Sequence, residues 1–230
     1  MKYKKILIKF SGEAFGNKGQ GVDLKKVQQI VDEIKVLKKK GINVGIVCGG
    51  GNVIRGREVK KSARLMTHYK GMQATLINVK PLEKLFKKEK ISTSVFASFS
   101  LKSNYPVFNQ LKVNKDWKAG KVIIFAGGTG HPFFTTDTGA VLRALQLEAD
   151  LFIKATKVDG IYDSDPQKNK KAKKIEKINY RKYIESDLQI LDSMAICMAW
   201  NNNLPIRVLK WEEGSIIKLL NNKNIGSLIN

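Results

Sequence analysis

Short apolar runs rich in β-branched residues recur along this chain, and most are followed by a longer stretch with helical periodicity. The runs are Lys5–Phe10, Asn43–Cys48, Ser92–Ala97, Lys121–Phe125, Leu151–Lys154 and Pro205–Leu209. Parallel strands need long crossovers, and helical crossovers cover the faces of the sheet they connect. The pattern therefore predicts an α/β fold, a mostly parallel central sheet with helices on both faces. The clearest helix follows Asp23, a good N-cap, and places Leu24, Val27, Ile30, Val31, Ile34 and Leu37 on one face; Gly41 ends it. A second is expected over residues 70–90, where Pro81 predicts a kink or a break. A third follows Asp137, and residues 192–200 and 215–220 also read as helical. Gln167–Lys177 has the composition of a loop. There is no internal repeat, so residues 1–230 are read as a single domain, with a shift of role near residue 150 dividing it into lobes 1–150 and 151–230.

Composition narrows the class. The 230 residues are 43% hydrophobic, enough for a real core, and the longest apolar runs fall far short of the roughly 20 residues that span a bilayer. The basic N-terminus does not read as a signal peptide, because Lys9 interrupts its apolar stretch. Cys48 and Cys197 are the only cysteines, which excludes a disulfide framework or a CxxC metal site and suits a reducing, cytoplasmic compartment. Net charge is +22. The lysines are dispersed over several segments and no nucleic-acid module accompanies them, so the charge is read as a solvated, anion-attracting surface.

Three glycine-rich loops each follow a strand: Ser11–Gly21, Gly49–Gly56 and Gly127–Asp137. In open α/β sheets, ligands collect beyond the carboxyl ends of the strands. Glycine there lets backbone N–H groups approach anionic oxygens with no Cβ in the way. One such loop is weak evidence; three together favour a polyphosphate site over mere tight turns. No GxxxxGK[ST], no GxGxxG opening a helix, and no kinase HRD or DFG set is present, which disfavours P-loop NTPases, dinucleotide oxidoreductases and protein kinases. His68 and His131 are the only histidines, and no metal-ligand spacing occurs.

Lys5–Ala14 (KILIKFSGEA) and Lys154–Pro166 (KATKVDGIYDSDP) resemble the opening strand and the ATP-binding strand and loop of the amino acid kinase superfamily. Gly49–Gly56 (GGGNVIRG) and Gly128–Asp137 (GTGHPFFTTD) are more selective and resemble the bacterial UMP kinases. Gly71–Thr75 and Leu204–Val208 extend the likeness over nearly the whole chain. The resemblance implies a three-layer sandwich and transfer of a phosphoryl group from ATP, with Mg²⁺, to UMP in pyrimidine nucleotide biosynthesis. It implies that Lys9, Phe10, Ser11, Gly12, Gly51 and Arg55 meet the ATP phosphates, and that Thr156, Tyr162 and Asp165 hold the adenosine end. Gly50, His68, Thr129, Gly130, His131, Pro132, Phe133, Phe134, Thr135 and Thr136 would bind UMP. Lys9, Asp137, Lys154 and Arg55 would order the catalytic charges, with no resident metal ion. A homohexamer regulated by GTP or UTP is implied by resemblance alone.

A nucleoside monophosphate is already close to doubly anionic near neutral pH, because its second pKa is about 6. Such an acceptor needs no general base, only suppressed repulsion and in-line alignment. Simpler readings stand beside these. Lys9 and Lys154 could be strand-end charges reaching solvent, Arg55 the polar start of a helix, Phe133 and Phe134 packing anchors, and Tyr162 core filling. The clearest departure from the UMP kinases is His68, which stands where they usually carry an aspartate that binds the acceptor ribose. The alternatives are another superfamily phosphotransferase with a different small acceptor, or a nucleotide-responsive regulator or nucleic-acid binder.

Overall fold

A computed structural model of the chain describes residues 2–17, 19–54, 63–100, 104–164, 166, 168–221 and 224–230. Each expected run forms a strand. The strands are β1 (Lys5–Phe10), β2 (Asn43–Cys48), β3 (Thr93–Ala97), β4 (Val122–Ala126), β5 (Leu151–Thr156), β6 (Ile161–Tyr162), β7 (Lys174–Ile175), β8 (Lys177–Ile178), β9 (Ile206–Lys210) and β10 (Ser227–Ile229). The helices are α1 (Leu24–Lys39), α2 (Arg64–Lys88), α3 (Gln110–Lys118), α4 (Thr136–Gln146), α5 (Tyr180–Glu185), α6 (Ser193–Asn201) and α7 (Ser215–Leu220).

Eight strands form one sheet in the order β3-β4-β2-β1-β5-β9-β10-β8. Every pairing is parallel except β10 against β9. The central strands are buried on both faces, as a parallel sheet requires. Alternation along β1 divides its side chains between two cores. Ile6, Ile8 and Phe10 join the core under α1, α2 and α7, while Leu7 joins the one under α4 and α6. Lys9 follows Leu7 in that alternation and so emerges on the α4 side. Lys154 obeys the same rule on β5, two residues beyond Phe152, and pairs in register with Lys9.

Local signals explain most boundaries. Asp23 caps α1 by accepting from the Lys25 and Lys26 amides at 2.9 and 3.4 Å. Of the face expected to be apolar and buried, Leu24 alone is exposed, because it stands in the first turn, beyond the edge of the core that Val27 to Leu37 enter. Pro81 does not break α2, which runs through it. Proline removes one donor, and the carbonyl left over belongs to Ile77, a 46% exposed residue, so the lost bond falls on the outer side of the helix and not in the core. The cap of α4 is Thr135, and Asp137 lies within the first turn. The stretch expected as a loop, residues 167–177, contributes β7 and the first residue of β8.

Candidate active site

Lys9 and Lys154 lie side by side because their strands are neighbours, and two ammonium groups at adjacent-strand spacing repel unless an anion stands between them. The first turn of α4 supplies one. Asp137 Oδ1 lies 3.0 Å from Lys9 Nζ and Oδ2 lies 2.5 Å from Lys154 Nζ. Lys154 also donates to the Ile190 carbonyl. The Oδ1 contact is an ion pair without an aligned hydrogen bond. All three groups are buried. Burial alone would raise the Asp137 pKa, but Lys154 and then Lys9 outweigh it and bring it down to about 2. Burial depresses Lys154 to about 8, with Asp137 opposing and the Lys9 charge reinforcing the shift. At neutral pH Asp137 is thus a poor base and a strong holder of cations.

Beside the trio lies a cavity of about 720 Å³ at the carboxyl ends of β1, β2 and β4. Lys9 and Asp137 line it, while Lys154 stands behind them. Its floor is made of two interlocked glycine turns. A Cβ on Gly12 would fall 2.4 Å from the Asn52 amide nitrogen and 2.5 Å from that of Gly51. Asn78 of α2 pins the second turn, donating to the Gly49 carbonyl at 2.6 Å and exchanging side-chain hydrogen bonds with Asn52. Gly51 lines the cavity, but Gly50 is turned toward α2, where a Cβ would come within 2.9 Å of the Gly71 carbonyl oxygen. Close packing accounts for its lack of a side chain.

The third loop forms the opposite wall. Gly127, Gly128 and Gly130 all have positive φ. Thr75 accepts from the Gly127 amide at 2.8 Å and Ser98 donates to the Gly128 carbonyl at 2.6 Å. Thr129, Phe133, Phe134, Thr135 and Thr136 line the cavity, whereas Gly130, His131 and Pro132 do not. His131 is tied back to Thr129 within its own turn. Thr135 caps α4 and donates to Asp192, so its hydroxyl is already committed. Phe133 and Phe134 are 66% and 44% exposed, which rules out the packing-anchor reading. Phe133 has φ of 71°, rare for a bulky residue, and its ring centroid lies 5.1 Å from that of His68 across the cavity mouth.

On the other flank, Ser11 and Glu13 also line a cleft of about 390 Å³ with Thr156 and Trp211. Lys157, Lys210 and Glu212 continue it into a third, about 720 Å³, which reaches Tyr162. Ser11 and Glu13 thus stand between a pocket on the α4 side, which Lys9 and Gly12 also line, and a groove running toward Thr156 and Tyr162. The Tyr162 hydroxyl donates to Asp159 at 2.8 Å, so it is not core filling. Phe10 is fully buried, packed edge-on against Trp211, so only its backbone can face a ligand. Arg55 and Asp165 lie outside the described residues. Sequence reasoning did not single out Trp211, Arg64 or Thr67, which also border these spaces; none carries a local motif. A cleft of about 910 Å³ between α2, β3 and α3 holds none of the expected site residues.

A parallel α/β sheet that gathers glycine turns and a buried lysine–aspartate–lysine group at its strand ends defines a protein built to handle phosphate-like anions. The chain belongs to the amino acid kinase family, whose sequence model matches residues 4–210. Among its relatives are proteins named uridylate kinase. That of Rickettsia typhi is 42% identical over 97% of this chain and 93% of its own length, and that of Helicobacter hepaticus is 41% identical over 97% of each. The solved structure of the UMP kinase from Bacillus anthracis superposes with a TM-score of 0.92 at 31% identity, covering 100% of this chain and 97% of that one.

Proposed function

We propose that this chain is a UMP kinase, moving the γ-phosphoryl group of ATP onto UMP to give UDP and ADP. The carrying observation is the shared wall: Lys9, Ser11 and Gly12 border the UMP-sized cavity, and Ser11 also opens onto the groove toward Thr156. In this reading a phosphate oxygen of UMP attacks Pγ as the bond from Pγ to the β–γ bridging oxygen breaks, and ADP leaves with that electron pair. No proton need be removed, in keeping with an Asp137 that is hardly basic. Lys9 faces the phosphates of both substrates, Asp137 fixes its position, and Lys154 holds Asp137 from behind. The turn amides of Gly12 and Gly51 supply further donors to anionic oxygens. Thr129, Thr136 and Phe134 surround UMP, with His68 and Phe133 at the entrance, while Thr156 and Tyr162 meet the adenosine of ATP.

Among the described residues no group of three or more His, Cys, Asp or Glu side chains could hold a metal ion. A carboxylate already shared by two lysines is a poor resident ligand, so Mg²⁺ belongs to the nucleotide substrate, where it neutralises phosphate charge. We extend the reading to one domain with an acceptor lobe before residue 150 and an ATP lobe after it, working in cytoplasmic pyrimidine biosynthesis. Assembly as a homohexamer under GTP or UTP control is also proposed. Exposed Leu65, Met66, Tyr69 and Ile77 on α2 support self-association. No helix among the described residues is long and apolar enough to cross a membrane. The test is ADP release against a panel of UMP, dUMP, CMP, GMP and simple carboxylates. UMP should be the preferred acceptor; release with a carboxylate and none with UMP would overturn the proposal.

A further inference from the structure

Arg143 is an anomaly. It projects from α4 into the core between α3 and the sheet, is 5% exposed, and makes no ion pair among the described residues. Burying an unpaired cation is unfavourable, and desolvation accordingly lowers its pKa to about 10. What it gains is two aromatic faces and two hydrogen bonds. Its guanidinium carbon lies 3.8 Å from the Phe108 ring centroid and 5.4 Å from that of Phe125. Nη1 donates to Gln146 Oε1 at 2.7 Å and Nη2 to Ser98 Oγ at 3.2 Å.

The bond to Ser98 has a directional consequence. A guanidinium can only donate, so the Ser98 oxygen must accept from it and spend its single proton elsewhere. That proton goes to the Gly128 carbonyl at 2.6 Å. The backbone of Gly130 rests on the same residue: a Cβ there would stand 3.1 Å from the Ser98 carbonyl oxygen. Gly128 and Gly130 flank Thr129, which lines the proposed acceptor pocket. We infer that Arg143, acting through Ser98, is a positioning residue that sets the acceptor loop for UMP. The inference rests on the UMP kinase reading for its substrate, and on the network alone for its geometry.

Ser98→Ala removes the relay with little change of volume and should raise KM for UMP about tenfold, leaving KM for ATP and kcat within about twofold. Arg143→Met should do the same, and the double variant should be no worse than the more impaired single, since one acts through the other. Hydrogen exchange of the apo protein, which needs no substrate, should show faster exchange across residues 127–131 in Ser98→Ala with α4 unchanged. If the Arg143 variant does not fold, Ser98→Ala carries the test by itself. Unchanged loop exchange, or equal rises in KM for both substrates, would overturn the inference. Wild-type turnover with UMP is measured first: its absence sinks the UMP reading, and loop exchange then decides this one.

Discussion

The centre of the site and its rim are built on different principles. Lys9, Asp137 and Lys154 are each less than 10% exposed and are fixed by strand register and a helix turn. His68, Phe133 and Phe134 stand on the outer end of α2 and on a loop, with Phe133 two-thirds in solvent. Charge handling, common to any phosphoryl transfer, thus sits in the part that cannot shift without disturbing the sheet. In the proposed reading, recognition of one acceptor is left to the part that can.

The contrast is broken most directly at Asp137. Asp137→Asn keeps the shape but leaves two lysines facing each other, and turnover should fall about a thousandfold. The same change should destabilise the fold by about 3 kcal/mol, because it uncouples a buried ion pair, which thermal unfolding would register. If a rim substitution produced an equal loss of kcat, the division drawn here would be wrong.

The pH profile sharpens the comparison next. With Lys154 depressed to about 8, kcat/KM should decline about tenfold per unit well above that pH as its proton is lost, and Lys154→Arg should move the limb upward. For stability the sign runs the other way. Unfolded lysine keeps its proton to about 10.4 while the native one releases it near 8, so this group's contribution rises with pH across that window. Asp137 contributes stability above about 3.9 that is lost as pH falls toward its native value near 2.

Rim variants should be milder. Phe133→Ala should raise KM for UMP about fivefold with kcat nearly unchanged, a loss of ground-state contact only. Phe133→Gly should bind as poorly yet melt above the alanine variant by about 1 kcal/mol equivalent, since only glycine adopts φ of 71° without strain. The smallest effect is expected at His68. A carboxylate accepts from both ribose hydroxyls where a neutral imidazole accepts from one, so His68→Asp should increase preference for UMP over dUMP about threefold, read as a ratio of kcat/KM values.

The sheet was legible because β-branched runs and glycine turns are local signals, and every strand of five or more residues was found from them. The strands of two or three residues, α3 and α5 were not: α5 is only six residues long, and nothing in Gln110–Lys118 repeats with a strong apolar period beyond Val113 and Trp117. Lys9, Asp137 and Lys154 could each be marked as charged residues in glycine-flanked or family-like motif settings, but their meeting depends on β5 pairing with β1, a contact across more than half the chain. Gly50 differs from its neighbours in a way its sequence context does not show: only the approach of α2 reveals that the space for its side chain is taken by packing. Ser98 and Arg143 carried no signal at all, because a serine and an arginine forty-five positions apart announce nothing until the fold joins them.

The backbone contact between Gly12 and the Gly51–Asn52 turn has a mechanical consequence. Two turns of main chain in such close contact cannot slide past one another without a clash, so the turns after β1 and β2 behave as one plate. Any opening motion should therefore be sought in the facing wall, where Phe133 and Phe134 stand exposed.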